Sequence, residues 1–404
     1  MTAPTVDPRE VRTHRAAIAG AFAVQGLIFI SLTLRLPQLK ALFDLSELGL
    51  AGLMLLLVLL AGAGSVAAEL LSRRRDSATA LRGALVLIAL GVVGIGLAAR
   101  GSGSMPVLVA GMALYGVGLG ANDAASNMQA VAVEHRMGRP VLPSFHGAWT
   151  AGGLVATLGA IALPGVGLSA GMLALAVLPL ALLVAPFVRR DHGARDAPAD
   201  PASVGVRWRV VLLVGLGLVI FYAVDTAVTA WGPVYLSSDA VFTDPPTSPA
   251  MYALATLPYL VAVLVARSVG DAATARFGAP AVVRLGTVTA FVGLAVVVFA
   301  PASTWPVAIV GFFVVGLGVA VIAPLSFSAA ARVAGEGGDP DLHRARVDAV
   351  VARFNQFNYA GALIGSVLTG AVGTSTLRVG YAVPMVLVLG LLPLARHFAT
   401  PGRD

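Results

Sequence analysis

Residues 210–236 read VVLLVGLGLVIFYAVDTAVTAWGPVYL, a run in which Asp225 is the single charged residue. A helix crossing the hydrocarbon core needs about 20 mostly apolar residues, so this stretch reads as a membrane span with one acid near its middle. Working outward, runs of the same kind recur near 16–36, 48–71, 78–99, 105–131, 143–164, 168–188, 250–268, 281–300, 305–330, 347–371 and 376–395. No soluble domain needs that rhythm. The reading is an all-α polytopic membrane protein with 12 transmembrane helices in two pseudo-symmetric six-helix bundles.

Composition agrees. Charged residues make up 12% of the chain and hydrophobic residues 58%, against about 25% charged in a typical soluble domain. The absence of cysteine excludes disulfide, zinc-knuckle and thiol chemistry. No Gly-rich loop is followed by Lys-Ser/Thr, so ATP-driven transport has no support. Neither a Ser-His-Asp set, nor paired carboxylates, nor a metal-ligand spacing stands out, so the chain is expected not to be an enzyme and to need no cofactor or metal.

Of the 27 Lys and Arg residues, 23 fall in alternate gaps between the apolar runs, and the other gaps hold only Arg35, Lys40, Arg100 and Arg378. This asymmetry predicts that both termini are cytoplasmic and that the number of spans is even. The net charge of +7 then reflects topology and anionic headgroups, not a nucleic-acid partner. The N-terminal MTAPTVDPREVRTHR is polar and is followed by no cleavage site after a short apolar core, so the first span is expected to insert and stay.

The gap Arg189–Arg209, RRDHGARDAPADPASVGVRWR, is poor in large apolar residues and reads as a flexible linker. It divides the chain into residues 1–188, a linker 189–209, and residues 210–404. The halves look repeated. Gly118-Leu119-Gly120 in the fourth span matches Gly316-Leu317-Gly318 in the tenth, and the loops Ser65–Arg75 (SVAAELLSRRR) and Asp271–Pro280 (DAATARFGAP) follow the second and eighth spans. Parallel halves of 3+3 spans are one known transporter architecture.

These features resemble the major facilitator superfamily, over essentially the whole length. That family carries a G-x-L-x-D-R-x-G-R-R loop after the second span and a degraded copy after the eighth. Here Glu69 stands for its acid, Arg73 and Arg74 fit, and Ser65, Leu70 and Ser72 depart from it; the second copy keeps Arg276 and Gly278, with Asp271 upstream. Arg35-Leu36-Pro37, the segment from Asn122-Asp123 through Asn127-Met128-Gln129 to Glu134, and Ser144-Phe145-His146-Gly147 are similar to the MosC-like (rhizopine-transporter-like) branch. The resemblance implies a bacterial inner-membrane secondary carrier, working as a single chain by alternating access on a sugar- or polyol-like solute. The substrate itself does not carry over.

Ionisable and polar groups inside the hydrocarbon mark the pathway. Asp225 leads, with Tyr222, Thr226 and Thr229 at helical spacing on its face. A carboxyl there can bind and release a proton or hold a cationic substrate; the plainer reading is a protonated Asp bonded to a neighbouring helix. Asp123, clustered with Asn122, Ser126 and Asn127 near the end of the fourth span, is a second coupling candidate, a gate, or a static clamp. Gln25, Tyr115, Tyr259, Asn355, Gln356, Asn358 and Tyr359 lie near mid-depth; amides and phenols suit a hydroxylated or zwitterionic solute. His146 opens the fifth span with Trp149 and joins the gating set with Asn122, Asn127, Glu69, Arg73, Arg74, Asp271 and Arg276. Arg35, paired with an acid such as Asp44 or Glu47, would close the outer gate. Trp231 and Tyr235 read as interfacial anchors, and the clusters Gly116/Gly118/Gly120, Gly152/Gly153 and Gly361/Gly365 as close-packing sites. An efflux carrier for a drug or secondary metabolite is the alternative on the same fold. A non-transporting membrane sensor is the alternative of another class.

Overall fold

The computed structural model describes residues 8–101, 103–137, 141–189, 208–334 and 356–399. Among them there are helices and connecting turns and no strand. In chain order the helices are α1 (Pro8–Thr33), α2 (Leu36–Leu42), α3 (Glu47–Arg74), α4 (Ser77–Ala98), α5 (Met105–Met137), α6 (Leu142–Ala162), α7 (Leu168–Leu175), α8 (Val177–Ala181), α9 (Trp208–Leu236), α10 (Pro249–Phe277), α11 (Ala279–Phe299), α12 (Pro306–Val319) and α13 (Ile322–Ala334). They are followed by α14 (356–372), α15 (Leu377–Val388) and α16 (Leu391–Leu394). Nine segments among the described residues are long and apolar enough to cross a bilayer. With α6, the apolar segment Leu168–Val184 and α14, they make the 12-helix architecture.

The chain forms two compact units, Met1–Leu45 with Gly52–Ala194, and Ser46–Ala51 with Arg195–Asp404. The segment 190–207, within the expected linker, lies outside the described residues.

Helix boundaries follow local chemistry. Asp76 caps α4 by accepting the Thr79 amide at 2.5 Å, which satisfies an amide that has no partner within the helix. Ser248 caps α10, with Pro249 in the first turn, where a missing N–H costs nothing. Gly278, at φ +79, ends α10 and starts α11. Three predicted spans are not continuous helices; the twelfth parts into α15 and α16 between Val388 and Leu391. The sixth breaks into α7, α8 and a 3-10 turn Leu182–Val184, with Pro179 inside it. The tenth breaks between Val319 and Ile322. Pro324 has no N–H for the carbonyl of Ala320 four residues back, and Arg267 Nε donates to that carbonyl at 3.2 Å. In α14 a π-helical stretch covers Ile364–Leu368.

Helices in lipid gain little from burying apolar surface against one another, so backbone approach through small residues holds them together. In the first unit α4 and α5 meet at glycine. A Cβ on Gly111 would lie 2.7 Å from the Ile95 amide nitrogen, and one on Gly118 would lie 2.7 Å from that of Ile88. Gly116 faces α3, 2.7 Å from the Leu57 carbonyl by the same measure, and Gly120 is pressed on the Ala61 carbonyl. The second unit repeats the scheme. Gly311 meets Val297 and Gly318 meets Ala290 on α11, while Gly316 lies 2.6 Å from the Tyr259 carbonyl on α10. The contacts equate Gly111-x4-Gly116-x-Gly118 with Gly311-x4-Gly316-x-Gly318, an offset of 200 residues. The expected pairing of Gly118 with Gly316 is therefore two residues out of register. A repeated Gly-x-Gly reads the same in either alignment; only the helix each glycine faces decides.

Candidate functional site

The same register places Gln25 opposite Asp225 in the duplicated scheme. On α1 the Ala23 carbonyl packs on Gly152 of α6, and on α9 the Ala223 carbonyl packs on Gly365 of α14. Two residues beyond each carbonyl stands a polar side chain that accepts a hydrogen bond from another helix. Gln25 Oε1 accepts from Asn122 Nδ2 of α5 at 2.7 Å. Asp225 Oδ1 accepts from the Tyr259 hydroxyl of α10 at 2.5 Å. The first pair is neutral and the second contains an acid.

In the second unit Tyr259 is fully buried and Asp225 is half-buried. Thr229 donates to the Asp225 backbone carbonyl at 2.8 Å, so its hydroxyl serves the helix and not the carboxyl. Tyr222 lies edge-on to Phe221, with ring centroids 5.0 Å apart. Arg267 stands about two turns from Tyr259 on α10. Asn358 and Tyr359 are half-buried on α14. Asn355 lies outside the described residues.

In the first unit Asn122 and Ser126 are fully buried, as is Tyr115. Asn122 Oδ1, Ser126 Oγ and the Tyr115 hydroxyl are buried without a hydrogen-bond partner among the described residues. Tyr115, Asn122 and Ser126 fall at helical spacing on one side of α5. Asp123 is half-buried beside them, and its backbone carbonyl accepts from Asn127 Nδ2 at 3.0 Å. Asn127 thus serves its own helix.

Within their own units the other expected gating residues differ in exposure. Glu69 is half-buried near the end of α3, while Arg73 and Arg74 are exposed. Arg276 is exposed and stacks over Phe277 at 5.2 Å. Asp271 lies in α10, with its side chain outside the described residues. His146 is half-buried on α6, edge-on to Phe22 at 5.4 Å. Arg35 forms no ion pair among the described residues; its one hydrogen bond is to the Ser31 carbonyl at 3.2 Å. Asp44, an expected partner in the same unit, does not pair with it among the described residues.

Two aromatic residues also differ from expectation. Trp231 is 1% exposed and donates to the Ser366 carbonyl at 2.7 Å. Tyr235 is fully buried, donates to the Val297 carbonyl, and meets Phe242, Phe312 and Tyr381 edge-on or tilted. Each polar tip found a backbone carbonyl, so both are core pieces of the second unit and not interfacial anchors.

Sequence reasoning missed Gln129 and His14. Gln129, fully buried, donates to Ser77 Oγ at 2.7 Å and to the Val188 carbonyl at 2.8 Å, and accepts the Val188 amide at 2.7 Å. His14 lies 2.7 Å from the Pro186 carbonyl and 3.1 Å from Glu10, which in turn lies 3.8 Å from Arg136. No periodicity announces Gln129, because Ser77 and Val188 lie far away in sequence; Glu10 is one turn from His14, but Pro186 is 172 residues away.

Comparison with solved structures gives the fold. The chain is similar to the nucleoside transporter NupG (TM-score 0.65, 11% identity, covering 96% of this chain and 98% of that one). It is similar also to the major facilitator superfamily transporter FucP (TM-score 0.62, 15% identity, covering 95% and 98%). At these identities the likeness shows the fold alone, which is the 12-helix fold of the major facilitator superfamily transporters.

Relatives by sequence agree. An uncharacterized MFS-type transporter of Yersinia pestis is 28% identical over 380 residues, covering 93% of each chain. An uncharacterized transporter of Sinorhizobium fredii is 29% identical over 339 residues, covering 80% of this chain and 84% of its own. The membrane protein MosC of Rhizobium meliloti is 23% identical over 387 residues, covering 93% and 87%. No family model matches.

Proposed function

We propose that the chain is a secondary carrier that moves a small polar solute by alternating access, with Asp225 as the group that binds and releases the coupled proton. The hydrogen bond from Tyr259 to Asp225 at 2.5 Å is the observation that carries this reading. A carboxyl in the middle of an apolar helix is costly and is seldom kept without a use. Here it has a phenol donor from another helix and a half-open side from which a proton or a solute can reach it. Gln25, Tyr115 and Asn122 supply neutral donors and acceptors in the first unit, and Tyr222, Asn358 and Tyr359 supply them in the second. Such groups suit a hydroxylated solute of the sugar or polyol kind. The arginine distribution supports a bacterial plasma-membrane location with both termini cytoplasmic. The bodies that move are residues 1–188 and 210–404, joined by 189–209 in a monomer.

The test begins with thermal stabilisation of the purified chain by a panel of sugars, polyols, amino acids and amphipathic drugs, since a ligand that binds the folded state stabilises it by mass action. A hydroxylated hit is then followed into proteoliposomes with and without a pH gradient. Expected are pH-driven accumulation by the native chain, and, in Asp225→Asn, loss of that accumulation with retained exchange of solute across the membrane. Undiminished accumulation in Asp225→Asn sinks the proton role. Stabilisation by aromatic amphipaths alone favours the efflux carrier.

A further inference from the structure

Two half-buried arginines of this structure are held by several groups at once. Arg82 donates to the carbonyls of Leu183 and Ala185, both at 3.0 Å, and lies 5.4 Å over the Phe187 ring. Arg378 donates to the carbonyls of Val298, Ala300 and Val241 and lies 5.5 Å over the Phe242 ring. Each spreads its donors over two or three carbonyls and rests a face on an aromatic ring, so each is a staple.

Arg35 breaks that pattern. It is 9% exposed, which makes it as buried as much of the core, and it follows α1 at the end away from the N-terminus. A guanidinium has five N–H donors. One hydrogen bond is described for this one, Nη1 to the Ser31 carbonyl at 3.2 Å, and Nε is buried without a partner. No acidic side chain pairs with it among the described residues, and no ring stacks on it. Space has been left for it nonetheless. A Cβ on Gly171 of α7 would lie 2.7 Å from Nη2 and 3.1 Å from the guanidinium carbon. Gln38, one turn along the chain, also has a buried, unpartnered side-chain oxygen. A buried charge is retained where a counter-charge and hydrogen bonds compensate its lost hydration; among the described residues there is no counter-charge, and the Ser31 carbonyl is the one hydrogen-bond acceptor.

We propose that Arg35 is the centre of an oxyanion-binding site between the end of α1 and α7, taking a phosphate-type or carboxylate group that the chain does not itself provide. The planar fork of the guanidinium matches two oxygens of such a group at once. Gly171 lets α7 lie close against the guanidinium, since any larger residue there would press on Nη2 and displace the fork. The site lies on the face opposite the arginine-rich loops. That face carries only three other basic residues, Lys40, Arg100 and Arg378, so a general basic surface does not account for it. Two sources share this chemistry: the phosphate of an anionic lipid headgroup, and a free anion in the water beside the membrane.

The experiment compares the full-length chain with Arg35→Gln and Arg35→Lys in nanodiscs of phosphatidylcholine alone and of phosphatidylcholine with phosphatidylglycerol, each with and without added inorganic phosphate. Thermal unfolding and native mass spectrometry of retained lipid are the readouts. The expected result is that phosphatidylglycerol or phosphate raises the unfolding temperature of the native chain. Affinity for it should fall about 30-fold or more in Arg35→Gln, because truncating one partner of a buried hydrogen-bonded charge pair removes most of the binding. Arg35→Lys, which keeps the charge and loses the fork, should recover only part of it. A rise with phosphatidylglycerol and none with phosphate identifies a lipid site; a rise with phosphate in plain phosphatidylcholine identifies a free-anion site. A native chain indifferent to both overturns the proposal without any variant having to fold. A response that persists undiminished in Arg35→Gln overturns it too.

Discussion

Replacing Gln129 by Ala should loosen the end of the first unit by a predictable amount. The amide closes a ring with Val188, donating to its carbonyl at 2.8 Å and accepting its N–H at 2.7 Å, and donates to Ser77 Oγ at 2.7 Å. It thereby ties α5 to the start of α4 and to the chain just beyond the sixth span. Gln129 is fully buried and Val188 is 7% exposed, so removing the amide strands one backbone donor and one backbone acceptor. Each buried unsatisfied group costs about 1–3 kcal/mol, which sets the loss at about 2–6 kcal/mol. Ser77 is half-buried and can turn to water, so it adds little. At about 2–4 °C per kcal/mol for a unit of this size, the unfolding temperature should fall by roughly 5–20 °C. The assay is thermal unfolding of the detergent-solubilised chain, with hydrogen exchange followed over 183–189. The Val188 amide should lose protection in Gln129→Ala and keep more of it in Gln129→Glu, which retains an acceptor for that amide. An unfolding temperature within about 1 °C of the native chain, with Val188 exchange unchanged, would refute the reasoning.

Two further predictions test local energetics. Burial raises the pKa of the Asp76 carboxyl, but the hydrogen bonds from Thr79 and the charges of Arg189 and Arg82 outweigh it, so the group sits below its ordinary value of 3.8. A depressed pKa stabilises the fold above the unfolded value and loses that contribution as pH falls through the folded one. The stability advantage of the native chain over Asp76→Asn, which still caps but does not titrate, should therefore be full above about pH 4 and vanish in stronger acid. Solvent screening at this partly exposed site keeps it below about 1 kcal/mol, and a difference that grows on acidification contradicts the assignment. Among the glycines, Gly120→Ala drives a methyl into the Ala61 carbonyl and should lower folded yield, with overpacking of about 1–3 kcal/mol or more. Gly62→Ala, on α3 with nothing within 4 Å, should gain up to about 1 kcal/mol of helix propensity. Thermal unfolding of the pair checks both signs.

How much of this was legible in the sequence depends on what enforces each feature. The bilayer demands length and apolarity, so twelve spans could be read from composition along the chain. Asp225 was legible for the same reason, as the single charge in residues 210–236. Its donor Tyr259 was recognised only as a polar residue at mid-depth. The two lie 34 residues apart on different helices, and no period links them. The pairing of Asn122 with Gln25 was equally hidden, and Asn122 was read with the gating residues instead. Trp231 and Tyr235 show the limit in another way. Their place near the end of a span fits an interfacial anchor, yet they are buried, because helix neighbours set burial and sequence position does not. The breaks in the sixth and tenth spans had visible causes in Pro179 and Pro324. An apolar run with a proline in it, however, reads the same whether the helix bends or parts.

The duplication explains why the backbone frame and the chemistry on it have parted company. Gly111, Gly116 and Gly118 recur as Gly311, Gly316 and Gly318 because each faces a neighbouring helix so closely that a side chain would meet its main chain or Cβ. Such positions are not free to vary in either half. Residues 25 and 225 are held differently. Each presents an oxygen to a side-chain donor, Asn122 in one unit and Tyr259 in the other. An amide and a carboxylate both meet that requirement, so the exchange of one for the other leaves the packing untouched while changing the charge by one. The frame thus permits a titratable group in one half and a neutral one in the other at little structural cost. Under the proposed function the proton would then belong to the second unit alone, and Gln25, its counterpart in the first, would stay neutral at every pH.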